Sequence, residues 1–181
     1  MRALPVLFAL LLAACGGGGP RPDPFTFTGA GGQPMIADLH LPPGTERVPV
    51  VILSHDNRGK RDAQLQAYVD ALKGAGAAVI VLDHYGPRSI DPSQPPGQRA
   101  WFTALDFALD AFGALDKAGE NPRIDTRRAG LVGFGVGGGG GSLLAAHQWL
   151  LQTRPANTPR FLAVAAVQPS VVREAEEVLP L

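Results

Sequence analysis

The chain has 181 residues, with 16 Lys or Arg against 16 Asp or Glu, so its formal charge is zero at pH 7. Hydrophobic residues make up 45% of it, which fits a globular chain and excludes a highly charged disordered one. The balanced composition gives no electrostatic sign of nucleic acid binding, so no nucleic acid partner is expected. The length predicts one domain.

Residues 1–14 are predicted to be a secretory leader, because a short positive start precedes an apolar run of about a dozen residues. A membrane-spanning helix needs about 20 apolar residues, so this run is too short for one. The run ends in Leu12-Ala13-Ala14-Cys15, which resembles the lipobox of bacterial lipoproteins. The resemblance implies that Cys15 carries a lipid and becomes the N-terminus after cleavage. The alternative is a plain secretory signal followed by a chance cysteine, and Cys15 is the only cysteine of the chain.

Residues 15–24 are predicted to be a tether, since four glycines and then a proline-rich stretch cannot pack a core. The expected partner is therefore a membrane, contacted through the lipid on Cys15. The expected location is the bacterial cell envelope. Gly16 after the cysteine is similar to lipoproteins of the outer membrane, which would face the periplasm in a host with two membranes. The folded domain is expected to span residues 25–181, with an oligomeric state that the sequence leaves open.

Within that domain, strand-like and helix-like segments alternate. Continuous β-branched runs are typical of strands buried on both faces, and apolar residues at helical spacing predict the helices. The predicted strands are Phe25–Thr28, Ile36–Leu41, Val48–Leu53, Ala77–Asp83, Arg128–Phe134 and Phe161–Val167, and the predicted helices are Ala63–Lys73, Trp101–Leu115 and Ser142–Leu151. This order predicts an α/β fold with a mostly parallel sheet covered on both faces. The loops that follow its strands should meet at one edge, where such sheets hold their sites.

The segments at those loops resemble, in order and spacing, the dienelactone hydrolase-like family of the α/β-hydrolases. Residues 49–59 are similar to the strand and oxyanion loop of that family, residues 82–90 to its next strand and loop, and residues 122–134 to its approach to the nucleophile elbow. The resemblance covers about residues 36–170. It implies a three-layer α/β-hydrolase-like sandwich, here lacking the last two strands. The implied reaction is hydrolysis of a small ester or lactone through an acyl-enzyme, with no cofactor and no metal.

The elbow of this family carries a serine or cysteine between two glycines, on a sharp strand-to-helix turn. Here the pattern reads Gly133-Phe134-Gly135-Val136-Gly137, so the catalytic nucleophile position is Gly135, which has no side chain. By resemblance, the oxyanion donors are the backbone of Val136 and of Asp56 or Asn57. A glycine accepts the strained elbow backbone readily, so the turn is expected to persist while the chemistry is lost.

The other members of the catalytic triad are also not found where the resemblance places them. In this family the acid and then the histidine follow strands that come after residues 161–167, and this sequence ends at Leu181. All four histidines, His40, His55, His84 and His147, come earlier in the chain. The resemblance assigns His55 to the oxyanion turn and gives His84 no role; with Tyr85, these two are candidate pocket residues. The sequence therefore predicts an inactive chain, either a gene fragment or a pseudoenzyme.

Ser142 is the nearest hydroxyl after the elbow, but it lies seven residues further along the chain. Serine is favoured at helix N-caps, so we interpret it as a cap rather than a nucleophile. Each glycine in a helix interior costs about 1 kcal/mol relative to alanine. The glycines at 137–141 therefore predict that the third helix begins late, near Ser142.

Three other hypotheses remain at this point. Residues 133–138 match a dinucleotide fingerprint, but the expected acidic residue about 20 positions on is missing. A metal site formed by His55, Asp56, Asp83 and His84 is weakened because the side chains of adjacent residues 83 and 84 should point to opposite faces of a strand. The third hypothesis is a lipid-tethered protein that binds a ligand or partner in the old pocket, lined by Tyr85, Trp101 and Trp149.

Overall fold

A computed structural model describes residues 23–60, 63–94 and 103–168. The strands are β1 (Asp23–Thr28), β2 (Pro34–His40), β3 (Val48–Ser54), β4 (Ala78–Asp83), β5 (Ile124–Phe134) and β6 (Ala163–Val167). The helices are α1 (Ala63–Gly74), α2 (Ala104–Ala118), α3 (Gly135–Ala146) and α4 (Gln148–Thr153). The predicted leader, Cys15 and Trp101 lie outside the described residues. Asp23 and Pro24, the last residues of the predicted tether, belong to β1.

The six strands form one sheet in the order β1-β2-β4-β3-β5-β6. Strands β4, β3, β5 and β6 run parallel, and β2 pairs antiparallel with both β1 and β4. The predicted α/β class is confirmed, as is the prediction that four parallel strands lie side by side. In the described part of the chain, β6 is paired along β5 alone.

Helices cover both faces of the sheet, because successive side chains of its buried strands point in opposite directions. Val50 and Ile52 of β3 pack into the larger core with α2 and α4. Leu53 of the same strand faces the smaller core, with Leu65 of α1. The result is the predicted three-layer sandwich. Among the described residues, no helix combines the length and the apolar character needed to cross a membrane.

The third helix differs from its prediction. It begins at Gly135, directly after β5, and a separate short helix, α4, follows it. Ser142 is not a cap: it lies inside α3, buried, and its hydroxyl donates to the carbonyl oxygen of Gly139 at 2.8 Å. Tertiary packing outweighs the poor helix propensity of glycine here.

The reason for the glycines is the close approach of α3 to its neighbours. A Cβ on Gly137 or Gly141 would collide with the side chain of Phe107 on α2, and a Cβ on Gly138 would collide with the carbonyl oxygen of Ser54. Glycine is therefore what allows the helix to lie against the end of β3. The buried glycine helix also carries the elbow at its first residue.

Candidate functional site

The strand-to-helix turn predicted for a nucleophile elbow is present between β5 and α3. Gly135 has a φ of +64°, a left-handed conformation that strains any residue with a side chain. The preceding residue, Phe134, is the N-cap of α3, so the positive end of the helix macrodipole lies at the turn. The elbow backbone is thus retained at a position that offers no nucleophilic atom.

Asp56 fills the space beside Gly135. An ideal Cβ built on Gly135 would lie 2.6 Å from the Cβ and 3.5 Å from the Cα of Asp56. Carbon atoms pack at about 3.5–4.0 Å, so a side chain at position 135 would require the backbone of the facing turn to move. Gly135 is therefore required by its neighbour as well as by its own φ angle.

The predicted oxyanion turn lies next to the elbow, but its side chains alter the electrostatics there. The carboxylate of Asp56 accepts hydrogen bonds from the backbone N–H of Arg58 at 2.7 Å and from its Nε at 2.8 Å. Asn57 accepts through Oδ1 from the hydroxyl of Tyr85 at 3.5 Å. A carboxylate beside the elbow would repel a developing oxyanion, whereas an oxyanion site needs hydrogen-bond donors without a nearby anion.

A buried chain of hydrogen bonds runs behind this turn. The hydroxyl of Ser54, at the end of β3, lies 2.8 Å from Nε2 of His84, which follows β4. Nδ1 of the same imidazole lies 2.8 Å from Oδ2 of Asp110 on α2. The order serine, histidine, aspartate is that of a catalytic triad, yet all three side chains are buried from solvent. In this structure the serine hydroxyl offers no surface to a substrate.

The partners of Asp110 fix the protonation states of its carboxylate and of His84. Arg88 donates to both carboxylate oxygens, at 2.8 and 2.9 Å, and the backbone N–H of Ala30 donates at 2.8 Å. Burial alone would raise the pKa of Asp110, but the hydrogen bonds from His84 and Arg88 hold that pKa below its usual value. An ionised Asp110 accepts only, so Nδ1 of His84 carries a proton.

The imidazole of His84 is held neutral. Desolvation by burial lowers the pKa of His84, against the opposing hydrogen bond to Asp110. Because Nδ1 carries the proton of the neutral ring, Nε2 is an acceptor and the hydroxyl of Ser54 donates to it. Both ring nitrogens of His84 are therefore engaged within the protein.

His55 connects the oxyanion turn to the end of β4. Its Nδ1 donates to the carbonyl oxygen of Asp56 at 2.7 Å, and its Nε2 accepts from the backbone N–H of His84 at 3.2 Å. Desolvation by burial lowers the pKa of His55 to about 3, with a smaller contribution from the neighbouring His84. The ring also packs edge-on against Tyr85, with centroids 4.7 Å apart. His55 is thus a neutral structural histidine at this edge.

The structure brings together most of the residues that the sequence indicated here. The edge of the sheet where the parallel strands end holds Gly135, Asp56, Asn57, His55, His84 and Tyr85. Val136 is the second residue of α3. Trp149, proposed for the same pocket as Tyr85, lies on α4 and is 36% exposed. The other histidines are elsewhere: His40 ends β2, and His147 is the N-cap of α4.

Sequence reasoning missed two members of the buried series of hydrogen bonds, Ser54 and Asp110. A signal for Asp110 did exist, because it lies three residues after Phe107 and four before Ala114, on the buried face of α2. An aspartate on an apolar helix face needs a partner. No pattern in the sequence indicated that the partners would be Arg88 and His84.

The metal and nucleotide hypotheses find little to support them. In the described ranges, no three His, Cys, Asp or Glu side chains are grouped so that they could hold a metal ion. Asp83 instead accepts from the backbone N–H of Gly86 at 2.8 Å and pairs with Lys60 at 3.4 Å. At the glycine-rich loop, the carboxyl carbon of Asp56 lies 3.7 Å from the position of a Cβ on Gly135, the first residue of α3, so its charge would repel a phosphate bound at the start of that helix.

Comparison with solved structures agrees with this topology. The fold is similar to that of an α/β-hydrolase from Penicillium (24% identity, TM-score 0.56, covering 72% of this chain and 43% of that one). It is also similar to that of a dienelactone hydrolase from Klebsiella pneumoniae (21% identity, TM-score 0.58, covering 70% and 54%). A third similar structure is a hypothetical protein from Pseudomonas aeruginosa (23% identity, TM-score 0.54, covering 70% and 39%).

Sequence comparison adds a partial relative. The chain is 30% identical over 101 residues to an uncharacterised 31.7 kDa protein of Escherichia coli, a match that covers 56% of this chain. The chain spans about a third (34%) of the length of that relative. No family model matches the sequence. The similarity to these solved structures shows that the chain has the α/β-hydrolase fold, and its resemblance to the dienelactone hydrolases is confirmed at the level of that fold.

Proposed function

We propose that this chain is an α/β-hydrolase-fold protein, held at a bacterial membrane by a lipid on Cys15, that has no esterase activity through its elbow. The observation that carries the proposal is the relationship between Gly135 and Asp56. Acyl transfer needs an oxygen or sulfur atom at the elbow, and position 135 supplies neither. The Cβ of Asp56, 2.6 Å from where a Cβ on residue 135 would lie, fills the space of the missing side chain.

The surrounding groups support the same conclusion. A nucleophile needs a general base within hydrogen-bond reach, about 2.6–3.2 Å. His55 and His84, the histidines at this edge, are buried and use both ring nitrogens in bonds to other protein groups. The carboxylate of Asp56 opposes the formation of an oxyanion. Ester hydrolysis at this turn is thus disfavoured in three ways: position 135 has no nucleophilic atom, both histidines are already engaged, and the carboxylate of Asp56 opposes an oxyanion.

The membrane part of the proposal rests on the sequence before the domain. The motif Leu12-Ala13-Ala14-Cys15 is similar to a lipobox, and a glycine- and proline-rich stretch separates it from β1. The protein would then work in the cell envelope, on the periplasmic side of the outer membrane in a host with two membranes. Mass spectrometry of the mature protein tests this directly, since an N-terminal Cys15 without acyl mass would contradict it.

Hydrolysis of p-nitrophenyl acetate tests the catalytic part. We expect the wild-type chain to be no faster than buffer, and Gly135→Ser to give a trace at most, because an unassisted serine is a weak nucleophile. Adding Asp56→Gly to Gly135→Ser makes room for the serine, while Asp56→Ala with Gly135→Ser removes the carboxylate but keeps the clashing Cβ. Efficient turnover by the wild-type chain would overturn the proposal.

A further inference from the structure

We propose that the edge of the sheet opposite the elbow is a membrane-facing surface that binds the headgroups of anionic phospholipids. The inference rests on the lipid anchor proposed above and adds an orientation to it. The anchor would hold this edge against the bilayer and turn the elbow away from it.

The strand directions place the start of β1 at the edge of the sheet opposite the elbow. Strand β1 is antiparallel to β2, and β2 is antiparallel to β4, so β1 runs in the same direction as the four parallel strands. Its first residue, Asp23, therefore lies at the edge where β3, β4 and β5 begin. The elbow at Gly135 follows the last residue of β5 and lies at the opposite edge.

The short segment between Cys15 and β1 keeps the edge at which β1 begins near the bilayer. Seven residues lie between Cys15 and Asp23, which makes eight steps along the chain. A chain extends at most about 3.6 Å per residue, which limits the reach to about 29 Å. Strands in a sheet are about 4.8 Å apart, so β5, four strands from β1, begins about 19 Å away across the edge. A lipid on Cys15 would thus keep the whole edge close to the headgroups.

Arginines are concentrated at this edge. Four of them form what we call the basic edge: Arg47, Arg123, Arg127 and Arg128. Arg128 donates to the carbonyl oxygen of Arg47 at 3.2 Å, and Arg47 donates to the carbonyl oxygen of Ile124 at 3.1 Å, so the starts of β3 and β5 present one continuous surface. The side chains of Arg127 and Arg128 are 83% and 54% exposed. Lys73 at the end of α1 and the exposed Arg160 before β6 lie at the same edge.

Acidic groups compensate only part of this charge. Asp125 is shared between Arg127, at 3.3 Å, and Arg128, at 3.0 Å, so one carboxylate serves two guanidinium groups. Glu46 is the exposed acid beside Arg47. Further along the edge, at the end of α2, Lys117 pairs with Glu120, and Arg154 pairs with Asp116. These two pairs cancel. Among the described residues, the other six bases of this edge exceed its four acids, Asp23, Glu46, Asp70 and Asp125, by two.

The edge at the elbow has the opposite balance of charge. Among the described residues around the elbow, Arg88 and the buried Asp110 neutralise each other, and the acids Asp56, Asp83, Asp91 and Asp106 outnumber the bases Arg58 and Lys60. The described part of the chain is thus polarised from one edge of the sheet to the other. An anionic surface attracts the basic edge and repels the elbow edge. Phospholipid is favoured over nucleic acid as the anionic partner, because the tether begins at this same edge.

The test uses the lipidated full-length protein in vesicles of phosphatidylcholine with 30% phosphatidylglycerol or of phosphatidylcholine alone. A fluorophore on Thr45→Cys reports on the basic edge, and one on Ser93→Cys reports on the elbow edge; both positions are exposed. The sulfur of an acylated Cys15 does not react with the label. We expect a headgroup-bound quencher to quench the Thr45 probe on the anionic vesicles, to lose this effect in 0.5 M NaCl, and to leave the Ser93 probe unquenched throughout.

Charge variants identify the residues responsible. Each basic residue near an anionic bilayer contributes roughly fivefold to binding, so Arg127→Gln with Arg128→Gln should weaken the phosphatidylglycerol-dependent quenching by more than tenfold. Lys73→Gln with Arg160→Gln leaves Asp125 paired and is expected to weaken it as well, which covers the case that the first variant folds poorly. Arg58→Gln, on the elbow edge, is the control and should have no effect.

The outcomes separate this proposal from the anchor itself. Equal quenching of the two probes, or equal quenching on neutral and anionic vesicles, would overturn the orientation. Binding of the full chain to duplex DNA with the same loss in the arginine variants, but not to anionic vesicles, would assign the edge to nucleic acid and also overturn it. Mass spectrometry that finds no acyl chain would refute the anchor alone, since sedimentation of that preparation with the anionic vesicles still tests the basic edge.

Discussion

Arg88 binds Asp110 through both of its terminal nitrogens, at 2.8 and 2.9 Å, and joins the loop after β4 to the middle of α2. The carboxylate is completely buried and also accepts from His84 and from the backbone of Ala30. One ionised side chain thus satisfies donors from two segments distant from α2 in sequence, the loop after β4 and the turn at Ala30. Burying such a charge is favourable only while its partners remain in place.

Replacement of Asp110 by alanine should therefore lower the free energy of unfolding by about 3–5 kcal/mol, because Arg88 and His84 lose their buried partner. Ser54→Ala removes one neutral donor from His84 and should cost about 1 kcal/mol. Asp116→Ala, which removes the exposed carboxylate of the ion pair with Arg154, is the control and should cost about 1 kcal/mol. Urea unfolding measures all three. An Asp110→Ala variant as stable as Asp116→Ala would show that the buried network contributes little.

The buried histidines should make the protein less stable in mild acid. The folded-state pKa of His55 is lowered to about 3 and that of His84 is also lowered, whereas the unfolded value is 6.5. The unfolded chain therefore binds more protons between pH 6.5 and 3, so stability is complete above about pH 6.5 and falls with decreasing pH. For His55 alone the loss from pH 7 to pH 5 should be about 2 kcal/mol.

Urea unfolding of the wild type and of His55→Gln at pH 7 and pH 5 measures this slope. The variant should lose less stability between the two pH values than the wild type does, whatever its stability at pH 7. Asp110, whose pKa is lowered, acts in a separate and more acidic window, because its contribution is lost only as the pH falls below the normal carboxyl range. Identical slopes in the two proteins would contradict the assignment of the acid sensitivity to His55.

The contact between Asp56 and position 135 can be measured by a double-mutant cycle. Gly135→Ala should lower the free energy of unfolding by about 3 kcal/mol, through left-handed strain and overpacking against the Cβ of Asp56. In an Asp56→Gly background the same change should cost at least about 1 kcal/mol less, because the clashing Cβ is gone. In an Asp56→Ala background the cost should be unchanged. Equal costs in the glycine and alanine backgrounds would disprove the steric explanation.

The glycines of α3 should differ sharply in their tolerance of a methyl group. A Cβ on Gly138 would collide with backbone carbonyls, including that of His55 at 2.6 Å, so Gly138→Ala should cost more than about 3 kcal/mol. On Gly140 the nearest atom is the Cβ of Ala104 at 3.3 Å, and the gain in helix propensity of about 1 kcal/mol offsets the tight contact. Gly140→Ala should therefore stay within about 1 kcal/mol of the wild type. Thermal or urea unfolding of the pair checks this difference.

Local patterns in the sequence predicted the arrangement of the fold well. The β-branched runs at 48–53 and 77–83 are strands because such runs are buried on both faces of a parallel sheet, and the alternation at 36–41 marks the strand that pairs with β1. The glycine pattern around residue 135 also predicted the elbow. The start of α3 could not be predicted in the same way, because helix propensity opposes it and only the contact with Phe107 and Ser54 favours it.

The sequence by itself determined that position 135 carries no nucleophile, since that depends only on the identity of one residue in a recognised turn. It also determined the balance of 16 basic and 16 acidic residues. Only the tertiary structure decided that Asp56 fills the space of the missing side chain, that Ser54, His84 and Asp110 form one buried chain, and that the arginines gather at the edge opposite the elbow. Each of these is a contact or a grouping of residues distant in the chain, which depends on how the strands and helices pack and leaves no local trace in the order of residues.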